Sequence, residues 1–415
     1  MPQSKDTTKQ NAKKSTRIMQ KPTLGERLKS FVITIGGMGF GLLVFIALGW
    51  MPTFEIPGVT MTRANFESEQ EISGRLKLPD GYRLNLYAAG LGRSRAMALT
   101  PTGDLLITVP GRKLLLVKAD QDGDGRSDGT ETLLEDLNSG HGLVLDGGWL
   151  YVAESGGVVR MRYNAAKRQI EGEREILTSQ IPTGGAHWTR TIKRGPDGWF
   201  YVSVGSTCNV CIERHPWRAS MLRFKPGKEP EMFASGLRNT VGYDWQPGTG
   251  RLYGVDNGRD WLGDDMPPEE VNLIEQNGFY GWPFLHGDNL ADPEYGKVGG
   301  DAVKRAIKPI YGLDAHSAPL ALTFLRNQKA PDMKNTALVT QHGSWNRSSR
   351  SGYQVVSLSW DAAGAITERP FLTGFVLDED VVGRPVDVVE TGDGTIFISD
   401  DLSGVVWRVV YADAT

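Results

Sequence analysis

The sequence predicts an all-β protein: a six-bladed β-propeller carried behind an N-terminal transmembrane helix. Three observations predict it. A tight turn followed by a short apolar strand recurs six times along the chain. Glycine, at 51 residues, is plentiful enough for a chain built of turns. Helical periodicity is scarce once the first stretch of the chain is passed.

The repeats run in order. Pro101-Thr102-Gly103-Asp104 precedes the strand 105–109, Asp146-Gly147-Gly148 precedes 149–153, and Asp197-Gly198 precedes 199–204. Thr249-Gly250 precedes 251–255, Lys334-Asn335 precedes 336–340, and Asp393-Gly394 precedes 395–399. Most spacings are about 45 to 55 residues, the period of propeller blades. Six such units of antiparallel strands close around a central channel; a β-sandwich also has frequent turns but needs no long-period repeat. The early strand 78–87 and the last strand 405–411 stand at opposite ends of the repeat region, and their pairing is expected to close the ring.

Ahead of the propeller the chain divides into three pieces. Residues 1–30 form a basic tail of disordered composition, with Lys5, Lys9, Lys13, Lys14, Arg17, Lys21, Arg27 and Lys29 set against Asp6 and Glu26. Residues 31–50 carry no charge, and as a helix some 20 such residues cross one bilayer core of about 30 Å. The basic side stays in the cytoplasm, so the expectation is a single-pass inner-membrane anchor with everything after Met51 exported to the periplasm. The apolar run is longer than the core of a cleaved signal peptide. Gly37 and Gly41 make a GxxxG pair within it. Residues 51–77 read as a linker, and 78–415 as the propeller.

A formal net charge of −3 and no dense basic patch exclude nucleic acid as a partner. Two cysteines cannot form a disulfide framework. Cys208-Asn209-Val210-Cys211 would oxidise to a small-loop disulfide in an exported domain. It is no haem-attachment site, because Ile212 rather than histidine follows it.

The stretch 184–206 organises the chemistry. Gly184-Gly185-Ala186 presents His187, a short strand leads to Gly195-Pro196-Asp197-Gly198, and a second strand ends in Gly205-Ser206. Glycine frees the backbone where a side chain must meet a ligand, and such loops at strand ends collect reactive residues. His141, His316 and His342 sit in similar small-residue turns, and in a propeller such turns can converge on one mouth of the channel. No histidine pair has local zinc spacing.

Two segments are rich in oxygen ligands. Asp120-Gln121-Asp122-Gly123-Asp124-Gly125-Arg126-Ser127-Asp128-Gly129-Thr130-Glu131 matches the D-x-D-x-D-G-x5-E calcium loop. Ligands would come from Asp120, Asp122, Asp124, Asp128 and Glu131 and from the carbonyl of Arg126. Its flanks read as strands rather than as the helix pair of an EF-hand, so its calcium would be structural. The second segment, 256–272, is an acidic Gly- and Pro-containing loop that either faces solvent or holds a second cation.

Taken together, the His187 stretch, Arg238-Asn239, Asn257-Gly258-Arg259-Asp260-Trp261-Leu262-Gly263-Asp264-Asp265, Tyr280-Gly281-Trp282-Pro283, His316-Ser317-Ala318-Pro319, His342-Gly343-Ser344-Trp345-Asn346-Arg347 and Gly383-Arg384-Pro385 resemble the PQQ-dependent soluble aldose (glucose) and sorbosone dehydrogenase family. The resemblance covers roughly residues 78–411, and the sorbosone-dehydrogenase-like branch is the closer match. It implies a six-bladed propeller that oxidises a small sugar or aldehyde, with hydride passing to PQQ and electrons to a quinone or cytochrome. It implies His187 as general base and Arg238, Asn239, His316, His342, Arg347 and Arg384 as cofactor-binding residues, the arginines being forks for the three PQQ carboxylates. It also implies a calcium against the backbone of Gly258 and Arg259, acting as Lewis acid, and another near Glu270 and Tyr280. The chain departs from the glucose enzymes at Val241, where they carry glutamine, and at Ala186, where they carry an acid. Its residues from this reading alone also allow a calcium-dependent propeller lactonase or a non-catalytic glycan-binding propeller.

Overall fold

The computed structural model describes residues 69–412. The predicted tail and the predicted span 31–50 lie outside them. Among the described residues no helix is long and apolar enough to cross a membrane. A short helix, Glu69–Arg75, falls within the segment read as a linker, and Lys77 bridges Thr373 just after it.

Six four-stranded antiparallel sheets form the blades. The innermost strands are Met97–Leu99, Leu143–Asp146, Ile192–Arg194, Thr240–Trp245, Pro319–Phe324 and Pro385–Glu390. The second strands are Leu105–Val109, Trp149–Glu154, Phe200–Val204, Leu252–Asp256, Thr336–Gln341 and Ile396–Asp400. All six turn-plus-strand repeats of the sequence thus become the second strand of a blade. Tyr82–Ala88 pairs antiparallel with Val405–Tyr411, Tyr82 opposite Tyr411. The first described strand is therefore the outermost strand of the last blade, and the ring is closed as predicted.

The second strands are apolar on both faces because both faces are buried. Along a strand successive side chains point to opposite sides, and here each side meets a neighbouring blade. Leu105 and Ile107 pack with Phe397 and Val406 of the sixth blade, while Leu106 packs with Leu143 and Leu150 of the second. Phe200 and Val202 join Tyr151 behind them, while Tyr201 joins Tyr243 ahead. The blade-to-blade seams at Tyr253 and Phe324, and at Leu338 and Ile398, complete the circle. The core is a ring of six interfaces, not one central mass. The channel at the centre is narrow, a cavity of about 50 Å³ between residues such as Met97, His141, Lys193 and Asp387.

Antiparallel order fixes which loops meet. Inner strands begin, and second strands end, at the same end of the propeller. The loop 182–191 before the third blade, Arg238-Asn239 before the fourth, His316–Ala318 before the fifth and Arg384 before the sixth therefore all lie at that end. So do the connections 205–219, 257–268 and 342–353 that leave second strands.

Candidate active site

At that end a cavity of about 200 Å³ is lined by His187, Arg238, Asn239, Asn257, Gly258, Asp260, Glu269, His316, Ala318 and Trp345. Four of the sequence-predicted residues thus surround one space with His187: Arg238, Asn239, Gly258 and His316.

His187 is held by its neighbours in one tautomer. Its Nδ1 lies 2.9 Å from the main-chain oxygen of Ser206 and 2.9 Å from Ser206 Oγ. A carbonyl can only accept, and Ser206 Oγ spends its proton on the carbonyl of Cys208 at 2.8 Å. Nδ1 therefore carries the hydrogen, which leaves Nε2 with a lone pair. Burial and the neighbouring Arg238 guanidinium push the imidazolium pKa down to about 3. The turn that presents His187 is clamped by two buried arginines the sequence reading missed. Arg190 donates to the carbonyls of His187 (3.0 Å) and Pro182 (2.9 Å), and Arg218 to those of Gly205 (3.2 Å) and Gly184 (2.6 Å). Gly205 must be glycine: a Cβ there would stand 2.6 Å from both Asn239 Oδ1 and His187 Cβ.

Arg238 is buried among acceptors. Its Nε donates to Asn209 O at 2.9 Å, Nη2 to Asn209 Oδ1 at 2.9 Å and Nη1 to Asn257 O at 3.0 Å. Asp260 lies 3.5 Å away as its counter-ion. His316, at a positive φ of 62°, sets its Nε2 2.8 Å from the carbonyl of Gly263.

The other two predicted arginine forks are spent elsewhere. Arg347 donates to Asp264 O at 2.8 Å and to Asp265 Oδ1 at 3.1 Å, tying two loops together. Arg384 donates to the carbonyls of His342 and Gly343 at 3.1 and 3.2 Å. His342 itself holds Asp401 Oδ1 at 2.8 Å. All three lie outside the cavity lining, because their loops carry unpaired carbonyls and carboxylates that such donors satisfy first. His141 lies in the central channel instead, its Nδ1 3.3 Å from Arg190 O.

Buried acids line this cavity and the one beside it, Glu269 the first and Asp256 and Glu270 the second. Asp256 and Glu270 stand directly opposite on paired strands. Burial raises the pKa of both, and each carboxylate opposes ionisation of the other. Burial also raises Glu269, to about 8, although it accepts hydrogen bonds from Gly258 N at 2.5 Å and Ala318 N at 3.1 Å. A second cavity, of about 20 Å³, is lined by Asp256, Gly258, Arg259, Glu270, Tyr280 and Asp292 among others. It brings together Gly258, Arg259, Glu270 and Tyr280, the predicted ligands, and adds Asp256 and Asp292. The side chains of Arg259 and Tyr280 are committed to the protein. Arg259 pairs with Asp292 at 2.6 Å and Glu294 at 2.8 Å, and the Tyr280 hydroxyl donates to Leu273 O at 2.6 Å. Either residue would reach a cation only through its backbone.

The loop 118–129 joins the third and fourth strands of the first blade, as its flanks predicted. Carboxylate oxygens of Asp120, Asp122 and Asp124 come within 4.8 Å of one another. Asp128 Oδ2 instead accepts from Gln121 N at 3.3 Å, and Glu131, on a strand, turns its carboxylate to Lys118. Strand pairing sets the direction of Glu131, so the structure brings three of the predicted ligands together and leaves Asp128 and Glu131 on other partners. Arg126 N is bonded to Asp124 Oδ1 at 2.7 Å.

Cys208 and Cys211 form a disulfide, as the sequence predicted. The loops 257–265 and 343–348 hold two exposed indoles at the cavity mouth, Trp261 (55% exposed) and Trp345 (45%). Their rings meet edge to face at 5.4 Å.

A family model described as TrAA12-like matches residues 76–283, and one described as glucose/sorbosone dehydrogenase matches residues 220–408. A pyrroloquinoline quinone-dependent pyranose dehydrogenase of Coprinopsis cinerea is 25% identical over 407 residues, covering 81% of this chain and 54% of that protein. A pyrroloquinoline quinone-dependent sugar dehydrogenase of Hypocrea jecorina is 26% identical over 392 residues, covering 79% of this chain and 87% of that one. The chain spans about half the length of the first curated relatives it matches. The calcium structure of the Trichoderma reesei Carbohydrate-Active Enzymes Family AA12 protein superposes with a TM-score of 0.72 at 22% identity, covering 81% of this chain and 97% of that one. At that identity the likeness is one of fold. With the TrAA12-like match spanning half of the sequence, the chain belongs to the PQQ-dependent soluble sugar dehydrogenase family of six-bladed propellers.

Proposed function

We propose that the protein is a PQQ- and calcium-dependent dehydrogenase that oxidises an aldose or related aldehyde sugar and passes the electrons to a quinone or cytochrome. The observation that carries this reading is His187, its Nδ1 proton fixed by Ser206 and its Nε2 left as a base beside a cavity lined by Arg238, Asn239, Asn257 and His316.

The residues present fit the cofactor's chemistry. A planar, carboxylated quinone needs a fixed cation and neutral hydrogen-bonding groups, and this lining offers Arg238, Asn239, Asn257 and His316. Bound there, PQQ would supply the hydride-accepting quinone. His187 Nε2 would take the proton of the sugar hydroxyl, a step worth about 10² to 10⁴ in rate. Arg238 would neutralise a carboxylate, and the indole of Trp345 would shield the mouth from water.

The buried acids fit a divalent cation. A space of about 20 Å³ holds one ion or water, Asp256 and Glu270 stand opposite each other on their strands, and the guanidiniums of Arg238 and Arg259, which also line that space, are engaged by Asn209, Asn257, Asp292 and Glu294. Calcium is therefore expected to raise the melting temperature of the protein. An excess of about 100 times Kd is worth about 2.7 kcal/mol, several degrees. Thermal melts with calcium and with a chelator check it, and Glu270→Gln should remove most of the shift while Asp122→Asn should not.

The residues 31–50 would anchor the propeller at the outer face of the inner membrane, where a membrane quinone is at hand. The exposed indoles at the mouth suit a sugar, whose apolar ring face packs on an aromatic surface. Trp345→Ala is expected to raise KM for the preferred aldose roughly threefold to tenfold with little change in kcat; steady-state kinetics over an aldose panel check it.

The test of the whole reading is reconstitution of the full chain with PQQ and calcium, followed by dye reduction with a panel of aldoses. Turnover that needs both additions is expected. Absence of PQQ binding at micromolar concentration would overturn the reading and turn the search to lactone hydrolysis and glycan binding.

A further inference from the structure

The Cys208–Cys211 disulfide closes a four-residue ring that takes no part in the chemistry above, yet the ring touches two residues of the cavity, Arg238 and Asp260. Asn209, inside the ring, has its polar groups committed to the site. Its main-chain oxygen and its Oδ1 each accept from Arg238 at 2.9 Å. The same Oδ1 accepts from Asp260 N at 2.8 Å, and Nδ2 donates to Asp260 O at 3.1 Å. One residue earlier, the carbonyl of Cys208 accepts the Ser206 hydroxyl, whose oxygen faces His187 Nδ1.

The ring closes this segment covalently. Asn209 is half-buried in a connection between strands, with no sheet bonds of its own. Glu213, beyond the ring, ties back to Thr207 N at 2.5 Å and Thr207 Oγ1 at 2.8 Å. Without the S–S bond the intervening residues would regain backbone and rotamer freedom, each at about 1–2 kcal/mol of ordering entropy.

We infer that Asn209 is a positioning residue for Arg238 and Asp260, and that the Cys208–Cys211 disulfide is a redox-sensitive lock on it. A dithiol opens the lock: its two electrons and two protons pass to the sulfurs of Cys208 and Cys211, giving two thiols, and the dithiol closes to its own disulfide. Arg238 then loses its orientation, and affinity for an anionic cofactor falls. The last consequence rests on reading the cavity as the quinone site; the lock itself does not.

The experiment is amide hydrogen exchange on the full chain, oxidised and dithiothreitol-reduced, beside PQQ titration of the same samples. The Asp260 amide reports the lock directly, because its acceptor is Asn209 Oδ1. Reduction, Cys208→Ser with Cys211→Ser, and Asn209→Ala are each expected to speed exchange in peptides covering 257–262 by more than tenfold, with the blade strands unchanged. PQQ affinity should fall about tenfold, as for the loss of one hydrogen bond to a charged group, and in Asn209→Ala, which leaves the Cys208 carbonyl in place, kcat at saturating cofactor should be preserved. Asn209→Asp, which keeps the Oδ1 acceptor but sets a carboxylate against Arg238, should restore slow exchange at 257–262 without restoring PQQ affinity. Unchanged exchange at 257–262 on reduction would overturn the lock whether or not PQQ binds. Faster exchange in a protein that binds no PQQ even when oxidised would uphold the lock and overturn the cofactor reading instead.

Discussion

Replacing His187 by alanine is expected to lower turnover of the reconstituted enzyme about 100- to 10,000-fold and to leave the melting temperature close to that of the parent. The two effects separate for a structural reason. The imidazole bonds only to Ser206, whereas the turn around it is held through main-chain carbonyls by Arg190 and Arg218. Truncation removes the base and keeps the scaffold. Dye reduction at saturating cofactor and a thermal melt check the pair of outcomes; a turnover within threefold of the parent would remove His187 from the chemistry. The pH profile gives an independent reading. Only neutral imidazole can accept the proton, and burial beside Arg238 lowers the pKa to about 3. Activity should therefore persist at pH 5, where an ordinary histidine is mostly protonated, and an acid limb near 6.5 would contradict the buried, Arg238-facing setting. The same shift acts on stability with a definite sign. Between about 3 and 6.5 the folded state binds fewer protons at this site than the unfolded chain, so the site destabilises the fold as pH drops through that window.

The blades were legible because their signals are local. Turn chemistry and an apolar run sit within a few residues of each other, and Asp197-Gly198 before Phe200–Val204 reads the same before and after folding. The His187 turn and Arg238-Asn239 were legible for the same reason, as short motifs at strand ends. Glu269 and Asp256 were legible only as members of an acidic segment read as a loop, whereas both stand on strands. Asp256 faces Glu270 only because the second and third strands of the fourth blade pair in one register, and burial, which no spacing reveals, makes these acids unusual. Arg347 and Arg384 show the converse. Their motifs are intact, but an arginine bonds whatever acceptors its loop meets, and here those are Asp264 O and His342 O. Asn209 carried no signal beyond its place between two cysteines; its role comes from contacts 29 and 51 residues away. In the 120–131 loop the spacing was right, yet Glu131 follows its strand to Lys118.

Arg238→Lys is expected to weaken PQQ binding about 100-fold, although the charge is kept. A guanidinium has five N–H groups. Three of Arg238 are used, one from Nε to Asn209 O, one from Nη2 to Asn209 Oδ1 and one from Nη1 to Asn257 O. One further hydrogen remains on each terminal nitrogen, with Asp260 Oδ2 a looser partner 3.5 Å from Nη2; a carboxylate that displaced that contact would meet a two-pronged donor. Lysine has three donors on one nitrogen and cannot serve three protein acceptors and a ligand at once. Two charge-assisted bonds at about 1.5 kcal/mol or more each account for the size of the loss. Fluorescence titration of the purified variant with PQQ measures it, and kcat at saturating cofactor should recover, because the base His187 is untouched. An affinity within threefold of the parent would mean that the free hydrogens of Arg238 do not meet a carboxylate, and that the cofactor's charge is balanced elsewhere along this rim.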